Sequence, residues 1–189
     1  MRDATTRHAA TSSRKDAPLT RTRRVLSTAL LALRVLACRE PAHDAPVAPG
    51  ETIFLAIGGE TFALELALDP ATRQRGLGGR TSLARNGGMF FAFRTPRPLS
   101  MVMRDCPAAI DVAFLDGDGR VVALHAMPPE LPRGPGESAL AYERRLPEYP
   151  SGVSAQFAVE LAGGRLAQLG VEVGSRLAFD APALAQQAR

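Results

Sequence analysis

Two acidic residues lie inside apolar, strand-like segments of this sequence. Asp111 interrupts the segment Ile110–Leu115, and Glu160 lies between Val159 and Leu161. A lone charge is costly to bury, so each carboxylate is expected to pair with a basic group or to face a ligand. Three arginines from other parts of the chain could supply that basic group: Arg75, Arg80 and Arg104.

These side chains are compatible with three kinds of site. Arginine forks bind carboxylate, phosphate and sugar acids through paired hydrogen bonds, which favours a cleft for a small polar or anionic ligand. The same groups could instead close on one another as a buried ion-pair network that fixes strand register. The candidate ligand-binding residues are Arg75, Arg80, Met103, Arg104, Asp111 and Glu160.

Glycan hydrolysis is the third possibility, with Asp111 and Glu160 as general acid and base. Arginines beside a carboxyl group lower its pKa, whereas an acid catalyst needs a raised pKa. No serine lies in a nucleophile-elbow motif either. The sequence therefore leaves enzymatic activity open and favours binding.

The residues that hold metals and cofactors are scarce in this sequence. His125 and Cys106 are the only histidine and cysteine after Gly50, too few for an ordinary zinc site. Several methionines could capture Cu(I), although core packing explains them better. They are Met89, Met101, Met103 and Met127. Since no glycine-rich phosphate loop is present either, we expect no metal and no cofactor.

The positive charge is concentrated at the N-terminus. The chain of 189 residues has a formal net charge of +4 and a sequence pI near 9.8. Most of the excess basic residues lie in residues 1–37, and the remainder is slightly acidic. A basic surface for nucleic acid is therefore not expected on the folded part.

The basic leader has the pattern of an export signal. Arg24 precedes the apolar run Val25–Leu33, which is too short to span a bilayer but typical of a signal peptide. Ala37 and Cys38 then resemble the end of a bacterial lipobox, which predicts lipidation of Cys38 and a periplasmic or cell-envelope lipoprotein. Two alternatives remain open, an unprocessed disordered leader and a disulfide from Cys38 to Cys106.

The composition divides the chain into four segments. Residues 1–38 form the leader, and residues 39–50 are a flexible tether rich in Pro and Ala. Residues 51–180 have the length and apolar content of a single globular domain. Residues 181–189 are expected to be a disordered tail.

Short strands with turn residues between them dominate the globular segment. Thr52–Ile57 and Thr61–Leu68 flank a Gly-Gly turn and predict a hairpin, and Asp69 with Pro70 predicts a short helix ended by Gly76. Further strands are predicted at Met89–Phe93, Ser100–Met103, Ala109–Leu115, Arg120–Ala126 and Gln156–Leu161, and a final hairpin arm is predicted at Gly170–Phe179. We therefore expect a mainly β (β-rich α+β) fold, a small antiparallel barrel-like or sandwich domain with one or two short helices.

A proline-rich segment, residues 128–150, interrupts the strand pattern. It carries six prolines, with one helical turn predicted near Ser138–Arg145. Long ordered loops are uncommon unless they are functional, so this segment is a candidate lid or contact surface for a partner protein.

Residues 62–179 contain, in order, the turn Arg75-Gly76-Leu77, the pair Gly88-Met89 and the strand Ile110–Asp116. In these motifs and their spacing the segment resembles the domain of unknown function 192 family. The resemblance implies a compact, β-rich, barrel-like domain, often exported in bacteria and without a settled activity. Where that family shows an aromatic pair followed by Met-Lys-Asn-Thr, this sequence has Met101–Cys106 and lacks the aromatic residues. The matching residues are Arg75, Gly76, Leu77, Arg80, Gly88, Met89, Phe93, Met103, Arg104, Ile110, Asp111, Phe114, Leu115, Asp116, Tyr149, Val159, Glu160, Leu161, Gly163, Gly164 and Gly174.

Together these observations predict an exported, envelope-anchored accessory or binding domain. Its partner would be a small polar or anionic ligand or an envelope protein. The alternative is a hydrolase of an envelope glycan that uses Asp111 and Glu160.

Overall fold

The computed structural model describes residues 50–189. The predicted leader, with Cys38, and nearly all of the tether lie outside the described residues. The described elements are β1 (Thr52–Ile57), β2 (Glu60–Ala67), α1 (Pro70–Arg75), β3 (Gly87–Met101), β4 (Ile110–Leu115), β5 (Val121–Met127), α2 (Ala139–Arg145), β6 (Tyr149–Ala162), α3 (Arg165–Gln168) and α4 (Ala181–Gln187). None of these helices is long and apolar enough to cross a membrane.

The six strands form one sheet in the order β1-β2-β3-β6-β4-β5. All neighbouring pairs are antiparallel except β2 and β3, which run parallel because α1 and the loop after it carry the chain back across the sheet. The prediction of a mainly β fold is confirmed. The sheet is mixed and open, with β1 and β5 at its edges, and is not closed into a barrel.

The predicted hairpin and first helix form from local signals. Gly58 and Gly59 adopt left-handed backbone conformations in the tight turn between β1 and β2. Asp69 then accepts a hydrogen bond from the backbone N–H of Thr72 at 3.0 Å, which caps the N-terminus of α1. The helix ends before Gly76, whose φ of 50° is also left-handed.

Side chains alternate across the sheet and build a separate apolar core on each of its faces. The first face packs against α3 and α4, and its large residues include Phe62, Leu64, Phe90, Phe157 and Leu161. The second face is covered by the turn after α1 and the segment after β3, and its residues include Met89, Phe91, Met103, Val112 and Phe114. Because successive side chains of a strand point to opposite faces, alternate residues along each strand belong to different cores.

The C-terminal tail is helical rather than disordered. Asp180 accepts a hydrogen bond from the N–H of Ala183 at 3.0 Å and caps α4. Leu184 and Ala188 are buried in the core of the first face. The prediction of disorder was wrong because these small apolar residues gain a partner surface that only the folded sheet provides.

The structure also differs from the sequence prediction at two strands. Ser100–Met103 is not a separate strand, because β3 continues through Met101 with register shifts against β6 around its prolines. Residues 170–179 form an irregular arm with one bridge, between Arg120 and Arg176, rather than a hairpin strand. In the proline-rich segment, the predicted helical turn is confirmed as α2, which Ser138 caps.

Candidate functional site

A cavity of about 210 Å³ opens on the second face of the sheet. It lies between the C-terminal end of α1 and the segment that follows β3. Sites for drug-sized ligands typically span roughly 300–1,000 Å³, so this cavity suits a smaller guest. Its lining includes Arg75, Phe91, Met103, Arg104, Cys106 and Glu160. Four of the six predicted binding residues, Arg75, Met103, Arg104 and Glu160, are therefore brought together.

Glu160 forms the polar part of the cavity wall. On β6 it is paired in register with Met89 of β3 and Val112 of β4, so its flanking side chains are apolar. The residue is 6% exposed, and burial raises the pKa of its carboxyl group to about 8. No described residue donates a hydrogen bond to this carboxyl group. At neutral pH Glu160 is therefore mainly a neutral carboxylic acid, able both to donate and to accept a hydrogen bond.

The turn after α1 lies close to Glu160. A Cβ atom on Gly76 would lie 3.9 Å from Oε2 of Glu160 and 3.8 Å from Cζ of Phe91. The preceding residue, Arg75, is exposed at the rim, and its guanidinium makes no ion pair with any of the described residues. One cationic group at the mouth of the cavity is thus available to a guest.

Arg104 is held at the rim by helix α2. Its Nε and Nη2 atoms donate to the two carboxylate oxygens of Glu143 at 2.5 and 2.6 Å. This paired contact raises the pKa of Arg104 and lowers that of Glu143. The hydroxyl of Tyr142 accepts from the N–H of Asp105 at 2.8 Å and donates to its carboxylate at 3.2 Å. The segment 128–150 therefore fixes one side of the cavity mouth.

Cys106 lines the cavity, although it is not among the residues that the sequence suggested for the site. Its thiol donates weakly to the carbonyl oxygens of Leu77 and Ala108, at 3.9 and 3.6 Å. Burial, and then the nearby charge of Glu160, raise the pKa of this thiol to about 11. A protonated, buried thiol is a poor nucleophile, and nothing in its sequence context distinguishes it from an ordinary apolar position.

Arg80 and Asp111 lie outside the cavity lining. Arg80 donates to both carboxylate oxygens of Glu65, at 2.6 and 2.7 Å. Asp111 accepts from the backbone N–H of Leu166 at 3.0 Å, next to the start of α3. The expectation that Asp111 pairs with Arg75, Arg80 or Arg104 was wrong, because a backbone amide satisfies this buried carboxylate instead.

The two carboxyl groups of the hydrolase alternative point to opposite faces of the sheet. Glu160 is in register with Val112, and Asp111 is in register with Leu161. Directly opposite residues on neighbouring strands share a face, so Asp111 belongs to the first face and Glu160 to the second. The two carboxyl groups therefore cannot flank one scissile bond. The prediction that they act together as acid and base was wrong, because they lie in two separate sites.

The described residues contain no group of three or more His, Cys, Asp or Glu side chains that could hold a metal ion. His125 donates from Nε2 to the carbonyl of Pro150 at 2.7 Å and packs against the rings of Phe114 and Tyr149. Its contacts are those of a structural residue between β5 and β6.

An open, six-stranded mixed sheet with a small cavity on one face defines the class of this protein as a mainly β, single-sheet domain. Residues 53–179 match the model of the DUF192 family, described as an uncharacterized ACR, and the chain belongs to that family. The resemblance noted in the sequence is thereby confirmed.

Two solved structures share the fold. One is a protein from Sinorhizobium meliloti 1021 proposed to be a transcription regulator, with 28% identity and a TM-score of 0.54, over 66% of this chain and 89% of that one. The other is a protein of unknown function from Novosphingobium aromaticivorans DSM 12444, with 24% identity and a TM-score of 0.59, over 71% and 90% of the two chains. Among curated proteins, none matches this chain.

Proposed function

We propose that this chain is an exported, lipid-anchored binding domain whose cavity takes a small polar or anionic molecule. The observation that carries the binding role is Glu160, a buried carboxyl group that faces an open cavity and receives no hydrogen bond from the described residues. A carboxyl group whose pKa is strongly raised by burial and which lines a cavity is typical of a functional site.

A purely structural role accounts less well for this residue. The neighbours of Glu160 in the sheet, Met89 and Val112, are apolar, and an apolar side chain at position 160 would complete their core without a desolvated acid. Asp111 shows the contrasting case, because its buried carboxylate accepts from a backbone amide. An unpartnered acid beside open space is the arrangement expected of a group that meets its partner in a ligand.

Closing the cavity mouth tests this proposal. Ser100 is exposed and lines the cavity, so Ser100→Phe should place a ring in the opening with little effect on the core. Thermal-shift screening of small carboxylates, amides, amines and polyols should yield compounds that raise the Tm of the wild-type protein and not that of Ser100→Phe. A ligand at 100 times its Kd adds about 2.7 kcal/mol to the free energy of unfolding.

Ser154→Phe is the matched control, since Ser154 is exposed on β6 and does not line the cavity. It should respond to the same compounds as the wild-type protein. Equal responses of both phenylalanine variants to every active compound would refute binding in this cavity.

The proposed location depends on the leader, where Arg24, the run Val25–Leu33 and Cys38 have the order of a lipoprotein signal. Acyl chains on Cys38 would hold the domain at a membrane at about 0.8 kcal/mol for each buried methylene. After cell fractionation the full chain should be found with membranes, and Cys38→Ser should lose acylation and move to the soluble fraction. Unchanged membrane association of an unacylated Cys38→Ser protein would contradict the anchor.

A further inference from the structure

We infer that the guest of this cavity is a small carboxylate with a short apolar chain, whose two oxygens accept hydrogen bonds from the Arg75 guanidinium and the Glu160 carboxyl group. This inference rests on the proposed binding function and names its ligand class. It follows from the charges, the donors and the walls of the cavity.

The charged groups of the lining are all cationic. They are Arg73, Arg75 and Arg104. The two acidic groups of the lining, Glu160 and Cys106, have pKa values raised to about 8 and about 11 and are mainly neutral at pH 7. The cavity therefore has a positive potential that favours an anion and disfavours an amine.

Two of the three arginines already have partners. Arg73 donates to the carbonyl oxygens of Leu68 and Ala92 at 2.7 and 3.1 Å. Arg104 is engaged by both oxygens of Glu143. Arg75 makes no ion pair with the described residues, so its guanidinium is the one best placed to receive an anion.

The available donors match a carboxylate in number. Gly76, the residue after Arg75, approaches Glu160 so closely that a Cβ atom would lie 3.9 Å from Oε2. Arg75 and Glu160 both line the cavity, so both side chains border the space that the guest would occupy. One guanidinium and one O–H group satisfy the two oxygens of a carboxylate, whereas a phosphate dianion would require more donors.

The other lining residues determine that the rest of the guest is apolar. Leu77, Phe91, Met103 and Ile110 surround the space with apolar and aromatic groups. Burial of a hydrocarbon chain against these apolar walls would contribute favourable free energy of binding. A volume of about 210 Å³ limits that chain to a few carbons.

Ionisation of Glu160 should weaken this binding. The titratable and charged groups that line the cavity with it are Arg73 and Arg75 from α1 and Arg104 and Cys106 from the segment after β3. Its neighbours on β3 and β4 are apolar. Above pH 8 the Glu160 carboxyl group ionises, so it can no longer donate a hydrogen bond and it repels an anionic guest. The affinity should therefore fall about tenfold for each further pH unit.

Three probes with the same branched carbon chain test the inference: isobutyrate, isobutyramide and isobutylamine. Titration calorimetry at pH 6.5 should show that isobutyrate binds most tightly. Arg75→Gln should weaken isobutyrate at least tenfold and leave isobutyramide nearly unchanged. Arg94→Gln is the control, because Arg94 is exposed and does not line the cavity, and it should bind all three like the wild-type protein.

The pH series supplies a second readout that loss of structure would not mimic. Between pH 6.5 and 9.5 the wild-type protein should lose about thirtyfold in affinity for isobutyrate, whereas Glu160→Gln, which keeps a neutral donor, should bind it equally at both values. Tighter binding of the amine or amide than of isobutyrate would overturn the carboxylate inference and leave the binding proposal standing. Failure of all three probes would also overturn it, and the Ser100→Phe screen would then decide the binding proposal separately.

Discussion

At pH 9, Glu160→Gln should be more stable than the wild-type protein by several kcal/mol. At pH 5 the two proteins should unfold at nearly the same denaturant concentration. Urea denaturation at pH 5, 7 and 9 measures the difference, which should grow from pH 5 to about pH 8 and then level off.

The reason is the unequal proton affinity of Glu160 in the folded and unfolded states. Its pKa is about 8 when the protein is folded, because burial penalises the charged form, against an ordinary value of 4.5. Below pH 4.5 the group is protonated in both states and costs nothing. As pH rises from 4.5 to 8 the unfolded state releases the proton more readily, and wild-type stability falls by about 5 kcal/mol in total. Glutamine has no proton to release and avoids this loss.

Glu172→Gln is the control for this experiment, since Glu172 is exposed and does not line the cavity. Its stability should follow the wild-type protein across the pH range. If Glu160→Gln did so as well, Glu160 would be charged in the folded state at neutral pH, and both the raised pKa and the neutral donor in the cavity would be wrong.

Gly88→Ala should destabilise the protein by more than about 3 kcal/mol or prevent folding. Gly88 lies on β3, in register with Leu161 of β6 and Leu64 of β2. A Cβ atom there would lie 2.1 Å from the backbone carbonyl oxygen of Glu160 and 3.0 Å from side-chain carbons of both leucines. A backbone atom in a central ladder cannot move aside alone, so β3 and β6 would have to separate beside the cavity wall.

Gly134→Ala is the matched control for Gly88→Ala. The nearest atom to a Cβ at Gly134 would be Oε2 of Glu137, at an ordinary 3.8 Å. Its effect should stay within about 0.5 kcal/mol in the same urea titration. Equal, small effects of the two substitutions would show that the strands at Gly88 are less closely packed than the structure describes.

Much of the local structure could be predicted from the sequence. The Gly-Gly turn, the Asp69 cap and the alternation in β2 are each determined by neighbouring residues, and all three appear in the structure. The family motifs also identified the domain. Four of the six residues proposed for the site, Arg75, Met103, Arg104 and Glu160, line one cavity, and their role in binding stays a prediction.

Charge partners could not be predicted in the same way. Arg104 pairs with Glu143, and Arg80 with Glu65, although the sequence suggested Asp111 or Glu160 for both. The choice among several acids of equal chemistry depends on which elements pack together, and only the tertiary fold brings Glu143 of α2 against Arg104.

The sequence alone determined that Asp111 and Glu160 are buried and which of their strand neighbours share a face with each. Only the tertiary structure decided that the two carboxyl groups lie on opposite sides of the sheet, one capping α3 and the other facing the cavity. The alternation within a strand is a local property, whereas the register between β4 and β6 is set by long-range pairing, and a slip of one residue would exchange the faces.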